Sequence, residues 1–261
     1  MTGMAEVLLA VGTRKGLFLS RWPVGQRAAR GWEFTGPHFE AQAVYAFSID
    51  RRGDGPPRLL AGADSAHWGP SVFHSDDLGA TWKEPADPPI RYPRDTGTSL
   101  ERVWQLQPGG ESEPGVVYAG TEPGGLFRSV DGGESFELVR PLWEHPTRRD
   151  WAPGGGGLGL HTVLVDPRDA RRVTVAVSTG GVYRTRDGGE SWEAPGSGLP
   201  QGAHYGPVLR DALCTDDAEP AGIYFGNRNG EVYASADEGD SWQQLASHLP
   251  DVLCVRAAVL G

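Results

Sequence analysis

Cysteine is scarce: Cys214 and Cys254 are the only two in 261 residues. Two cysteines cannot build a disulfide framework, so a reducing, cytoplasmic setting is expected. Both lie in apolar, strand-like runs and read as buried free thiols. No Asn-x-Ser/Thr sequon occurs, which agrees with that compartment. No apolar run is long enough to cross a bilayer, and a membrane is not an expected partner. The short apolar run at 7–11 has no basic leader and reads as a strand, not a signal peptide. Positive charge is also in deficit, with 24 Lys and Arg against 34 Asp and Glu. That balance repels a phosphate backbone and argues against nucleic acid as a partner. Helical periodicity is missing throughout.

What is abundant is Gly (38) and Pro (21), the punctuation of many short strands and turns. Four octets align without gaps: Ser75-Asp-Asp-Leu-Gly-Ala-Thr-Trp82, Ser129-Val-Asp-Gly-Gly-Glu-Ser-Phe136, Thr185-Arg-Asp-Gly-Gly-Glu-Ser-Trp192 and Ser235-Ala-Asp-Glu-Gly-Asp-Ser-Trp242. Their aspartates, Asp77, Asp131, Asp187 and Asp237, stand 54, 56 and 50 residues apart. In such an octet the carboxylate can accept backbone N–H bonds and close a turn. The aromatic residue opens the next strand and can pack between sheets. Three apolar strand-like runs precede each octet, which makes four strands per repeat of about 50 residues, the anatomy of a propeller blade.

A degenerate fifth copy opens the chain, where 7–13 matches 116–121 and 16–20 matches 125–129. It lacks an innermost strand, and 252–260 supplies a spare one. The expected fold is therefore all-β: a single five-bladed β-propeller of four-stranded antiparallel blades, its ring closed by the C-terminal strand pairing with blade 1. The expected blades are 1–35 plus 252–260, 43–84, 101–140, 161–194 and 207–246.

The octets resemble the Asp-box, or BNR, repeats of sialidases, of some plant-polysaccharide glucanases and of sortilin-type receptor domains. The runs Val11-Gly-Thr-Arg-Lys-Gly-Leu-Phe18, His67-Trp-Gly-Pro70 and Trp143-Glu-His-Pro-Thr147 are similar to bacterial propellers described as sialidase-like or glycosyl-hydrolase-like. The resemblance implies that the octets are structural turns on the face opposite the active site. The Arg-Ile-Pro motif of sialidases is absent, so classical sialidase activity is not expected.

In a four-stranded meander the octets mark one face, and the long loops fall on the other. Six of the seven histidines map to that second face, His74 being the exception. Innermost strands start there with Tyr45, Glu101, Arg102, His161, Arg210 and Asp211. Charges at such positions need partners or water. One reading is an internal network, Glu101 with Arg102 or Arg210 and Asp211 with His161. The other is a ligand pocket at the channel mouth, lined by His67, Trp68, Arg102, His145, Arg148, Trp151, His161, Tyr205 and Arg210.

Three functions fit a pocket there. A glycosidase-like hydrolase would use two carboxylates from Glu101, Glu122 and Asp211, with Trp68 or Trp151 as a sugar-stacking platform. A metal-dependent enzyme would hold a divalent ion with His67, His145, His161 and Glu101, although no His-x-His spacing is present. A non-catalytic scaffold would grip a protein partner with the same loops. The best reading is a monomer that binds a small polar or carbohydrate-like ligand at the mouth. The string Gly154-Gly-Gly-Gly-Leu-Gly159 precedes a strand rather than a helix, which removes a dinucleotide reading. Neither a Gly-x-Ser-x-Gly elbow nor a His-Glu-x-x-His motif is found.

Overall fold

The computed structural model describes residues 5–25, 33–84, 87–153, 157–200, 206–208 and 211–260. They fall into two compact units, Met1–Glu193 and Ala194–Gly261. The first unit holds four sheets. β1 (Glu6–Thr13), β2 (Gly16–Pro23) and β3 (Thr35–His38) make the first, and β4 (Ala43–Asp50), β5 (Arg58–Ser65) and β6 (Gly69–Ser75) the second. β7 (Arg102–Pro108), β8 (Val117–Glu122), β9 (Gly125–Ser129) and β10 (Glu137–Leu138) make the third. β11 (Leu160–Asp166), β12 (Asp169–Val177) and β13 (Gly181–Thr185) make the fourth. The second unit holds one sheet of β14 (Leu213–Thr215), β15 (Ile223–Gly226), β16 (Val232–Ser235) and β17 (Gln243–Ala246). Neighbours in every sheet are sequential and antiparallel, so each sheet is a meander.

The expected fourth strand shrinks in two sheets to a single bridge, His74 with Lys83 and Arg184 with Glu193. Proline follows within two residues in both places (Pro85 and Pro195) and cannot donate to a ladder. The connection from β10 to β11, expected to be irregular, carries a one-turn helix α1 (Arg140–Trp143) and a 3-10 turn, Pro146–Asp150. Proline near the start of each supplies a helical φ and lacks an N–H that would need an acceptor.

Successive sheets of the first unit share cores. Leu17, Leu19, Val44, Leu59 and Ala61 pack the first on the second. Leu60, Val72, Val103, Phe127 and Phe136 pack the second on the third, and Leu126, Leu160, Val163, Val175 and Tyr183 the third on the fourth. β5 is buried on both faces, which explains its unbroken apolar run. Each fully buried Leu or Phe contributes roughly 1.5–3 kcal/mol.

The sheets approach through a glycine notch. A Cβ on Gly12 would lie 2.5 Å from the Val44 carbonyl oxygen, and one on Gly62 would lie 3.1 Å from Val103 Cβ. Gly120 stands in the same relation to the Leu160 carbonyl. Each notch thus admits the first part of the next sheet's inner strand, and at Gly12 and Gly120 a Cβ would meet backbone that must shift. The residue after each seated one is the extra residue of a β-bulge: Tyr45, Trp104 and His161.

The tail departs from expectation. Residues 252–260 form no strand, and the sheet of β1 has three strands among the described residues. Val252 instead fills the notch of Gly226, just as an inner strand would, and its N–H donates to the Asn227 carbonyl at 3.2 Å. Val255 N–H donates to Asp211 O at 2.9 Å. These two bonds reach different segments, so no single ladder forms. Cys254 is exposed and Cys214 half-buried, not both buried as expected. The first sheet also runs on to His38, past the expected limit at 35.

All four octets adopt one turn. In the second, Ser129 Oγ donates to Asp131 Oδ1 at 2.7 Å and accepts from Gly133 N–H at 2.9 Å, while Ser135 N–H reaches Asp131 Oδ1 at 3.0 Å. Thr81 and Ser75 bonds hold the Asp77 carboxyl down at about 2, and Ser241 and Ser235 hold Asp237 at about 2. A carboxylate below its ordinary value of 3.8 stabilises the fold when ionised. That contribution is complete above about pH 4 and fades as pH falls toward about 2. Thermal melts should therefore fall in midpoint across this window. The double variant Asp77→Asn, Asp237→Asn should start lower and fall less. Ser129→Ala, which strands the Gly133 N–H in a buried place, should cost about 1–3 kcal/mol in urea unfolding.

Candidate functional site

At the end of the first unit opposite its octets, the bulges and the strand ends bring a polar cluster together. Arg102 opens β7 and is the register partner of Glu122, which closes β8. Arg102 Nη1 donates to Glu122 Oε2 at 2.7 Å, and its Nε lies 3.8 Å from Asp64 Oδ2 at the end of β5. The guanidinium sits 4.7 Å over the Tyr45 ring and 4.9 Å over Trp104, which themselves meet edge-on at 5.3 Å. Cation–π contacts on both rings and the ion pair fix the arginine from three directions. Glu101 precedes the pair; its N–H donates to the Glu122 carbonyl at 2.8 Å and its side chain is exposed. Gly157, at φ +95°, lies so close to the Glu122 carboxylate that any Cβ would collide with it. Gly157 therefore packs directly against the carboxylate of the site.

Sequence-expected residues divide sharply here. Arg102 and Glu122 are brought together. The anticipated partner of Arg102 was Glu101, but strand register puts Glu122 beside it instead. Asp211, expected beside His161, pairs with Arg256 at 2.8 Å in the second unit. His161 is exposed, with Nδ1 2.9 Å from its neighbour Thr162 Oγ1. His67 and Trp68 occupy the β5–β6 turn, and Trp68 is 91% exposed. His145 Nδ1 meets Thr147 Oγ1 at 2.9 Å, and its ring packs edge-on against Tyr183, so it caps the 3-10 turn.

Trp151 is buried, and its Nε1 donates to Tyr183 OH at 2.7 Å; it is core, not a stacking platform. Arg148 lies between Trp143 and Trp151. Tyr205 and Arg210 fall outside the described residues. The metal reading is not supported by geometry: among the described residues, no group of three or more His, Cys, Asp or Glu could hold an ion. The imidazoles of His145 and His161 are instead turned to local hydroxyls.

Trp104 and Asp64 were not anticipated. A signal existed: the runs Val44-Tyr-Ala, Val103-Trp-Gln and Leu160-His-Thr align across three repeats and mark one large or polar residue between two strand positions.

No family model matches the chain. Over 125 residues, 48% of this chain, it is 33% identical to an oligoxyloglucan-reducing end-specific xyloglucanase of Emericella nidulans. It is 29% identical over 130 residues to a xyloglucanase of Paenibacillus sp. These matches span 14% and 12% of the relatives' own lengths. The GH74 xyloglucanase from Xanthomonas campestris superposes with a TM-score of 0.54 at 19% identity, covering 93% of this chain and 36% of that one. Together, the sequential meander sheets and these likenesses support an all-β protein of the β-propeller class. Within that class, the similar proteins are described as xyloglucanases, one of them of GH74.

Replacing Arg102 with Gln should leave Glu122, 12% exposed in its side chain, without its cation. The cost expected in urea unfolding is about 1–3 kcal/mol, because the guanidinium is only partly withdrawn from water. An unchanged midpoint would show the pair to be fully screened.

Proposed function

We propose that this chain binds a carbohydrate of the xyloglucan type at the end opposite the octets and hydrolyses it with Glu101 and Glu122. The observation that carries this reading is the Arg102 clamp, which orients the Glu122 carboxylate beside two aromatic rings. Glycoside hydrolysis needs two carboxylates, one to protonate the leaving oxygen and one to act as base or nucleophile. Glu122, gripped by Arg102, suits the oriented role, and the exposed Glu101 on the adjoining strand suits proton delivery. Trp68, almost wholly in solvent, offers a flat apolar face for a sugar ring. A protein-docking scaffold is the second reading, favoured by the same exposed indole. The assignment to Asp-box repeats and the count of five blades belong to this proposal. The four identical octet turns and the seat of Val252 at Gly226 support them.

Purified protein incubated with xyloglucan oligosaccharides should release new reducing ends. Glu101→Gln and Glu122→Gln should each slow release about 100-fold or more with an unchanged circular dichroism spectrum. Binding without release would reduce the reading to carbohydrate recognition, and neither binding nor release would overturn it. Removing 252–260 should lower the melting midpoint; an unchanged midpoint would remove the tail from the fold.

A further inference from the structure

We propose that Arg148 anchors a second ligand site, one that takes the carboxylate of a small acidic molecule such as a uronic acid. The proposal does not rest on catalysis at Glu101 and Glu122. Arg148 sits in the 3-10 turn after α1, with its guanidinium 3.3 Å over the Trp143 ring and 5.4 Å from the centroid of Trp151. Tyr92, from the loop before β7, packs on Trp143 at 5.2 Å. The arginine is thus positioned by aromatic faces and not by a carboxylate.

Among the described residues the other arginines without an ion pair, Arg14, Arg51, Arg91, Arg94, Arg149 and Arg171, are exposed, whereas Arg148 is half-buried. Arg52, Arg58, Arg102, Arg128 and Arg140 each face an aspartate or glutamate within 4 Å. Arg148 makes no ion pair among the described residues, in a chain of net charge −10. A guanidinium carries five N–H donors. One reaches an acceptor, Nη2 to the Gly124 carbonyl at 3.4 Å, while Nε is buried without a partner. The Trp143 ring lies against the guanidinium and Nε is buried, so the terminal Nη1 and Nη2 N–H groups are what remain for recognition, and that end matches a carboxylate. Burial pushes the guanidinium below its ordinary range, so an arriving anion would relieve a charge the protein leaves uncompensated. The side chain is half-buried, which leaves part of it accessible to a ligand.

The test is titration of the full chain with sodium glucuronate, read by calorimetry and by tryptophan fluorescence, since Arg148 lies on two indoles. Methyl glucoside and inorganic phosphate serve as the neutral and tetrahedral-anion controls. Saturable glucuronate binding is expected, with no binding of methyl glucoside over the same range. Arg148→Gln and Arg148→Lys should each weaken it about tenfold or more; lysine keeps the charge but loses the planar edge. Glucuronate binding that survives either substitution would overturn the proposal. So would equal binding of methyl glucoside, tighter binding of phosphate, or no saturation in the wild type. Should Arg148→Gln fail to fold, the lysine variant and the wild-type controls decide.

Discussion

A bare peptide backbone at Gly12, Gly62 and Gly120 lets the next sheet's inner strand lie against it at van der Waals distance, and the first unit depends on that approach. A methyl group at Gly12 or Gly120 would meet the facing backbone carbonyl and push the sheets apart, opening the cores built around Leu17 and Leu126. The same contact has a second effect. The seated residue is followed each time by a bulge, and the bulged residues Tyr45, Trp104 and His161 all emerge at one end. Sheet packing and the placement of candidate functional groups thus have one physical origin.

The two ends of the sheets use their charges differently. At the octet end, carboxylates are consumed by their own turns: each aspartate accepts from hydroxyls and N–H groups two to four residues away. Arg52 is likewise consumed there, paired with Asp50 at 2.7 Å and donating to the Gly110, Glu113 and Val116 carbonyls of the neighbouring sheet. Nothing in these groups is left over for chemistry. At the other end, Arg102 has partners on three separate elements, and Arg148 has aromatic partners but no anion. Groups held in place yet incompletely satisfied are the ones able to meet a ligand.

Local patterns carried much of this. The octets announced their turns because all their bonds close within seven residues, from Ser75 to Thr81 in the first. Strands β5 and β8 were readable from unbroken apolar runs, and the segregation of His67 and His161 from the octets followed from meander topology alone. Readings failed where partners lie far along the chain. Trp151 looked like a surface platform until Tyr183 received its N–H from 32 residues away. Asp211 looked like a partner for His161, yet Arg256, 45 residues on, takes it. The tail read as a strand from its apolar residues, but two hydrogen bonds to separate carbonyls do not make a ladder.

By itself the sequence determined the antiparallel meanders and their repeated octet turns, because turn chemistry and strand alternation act over a few residues. Only the tertiary structure decided that Arg102 meets Glu122, Tyr45 and Trp104, and that Arg148 lies between tryptophans with no carboxylate. Those meetings depend on register, bulges and the distance between sheets. Such quantities arise from packing between segments 20 or more residues apart, as with Arg102 and Glu122, and no local pattern encodes them.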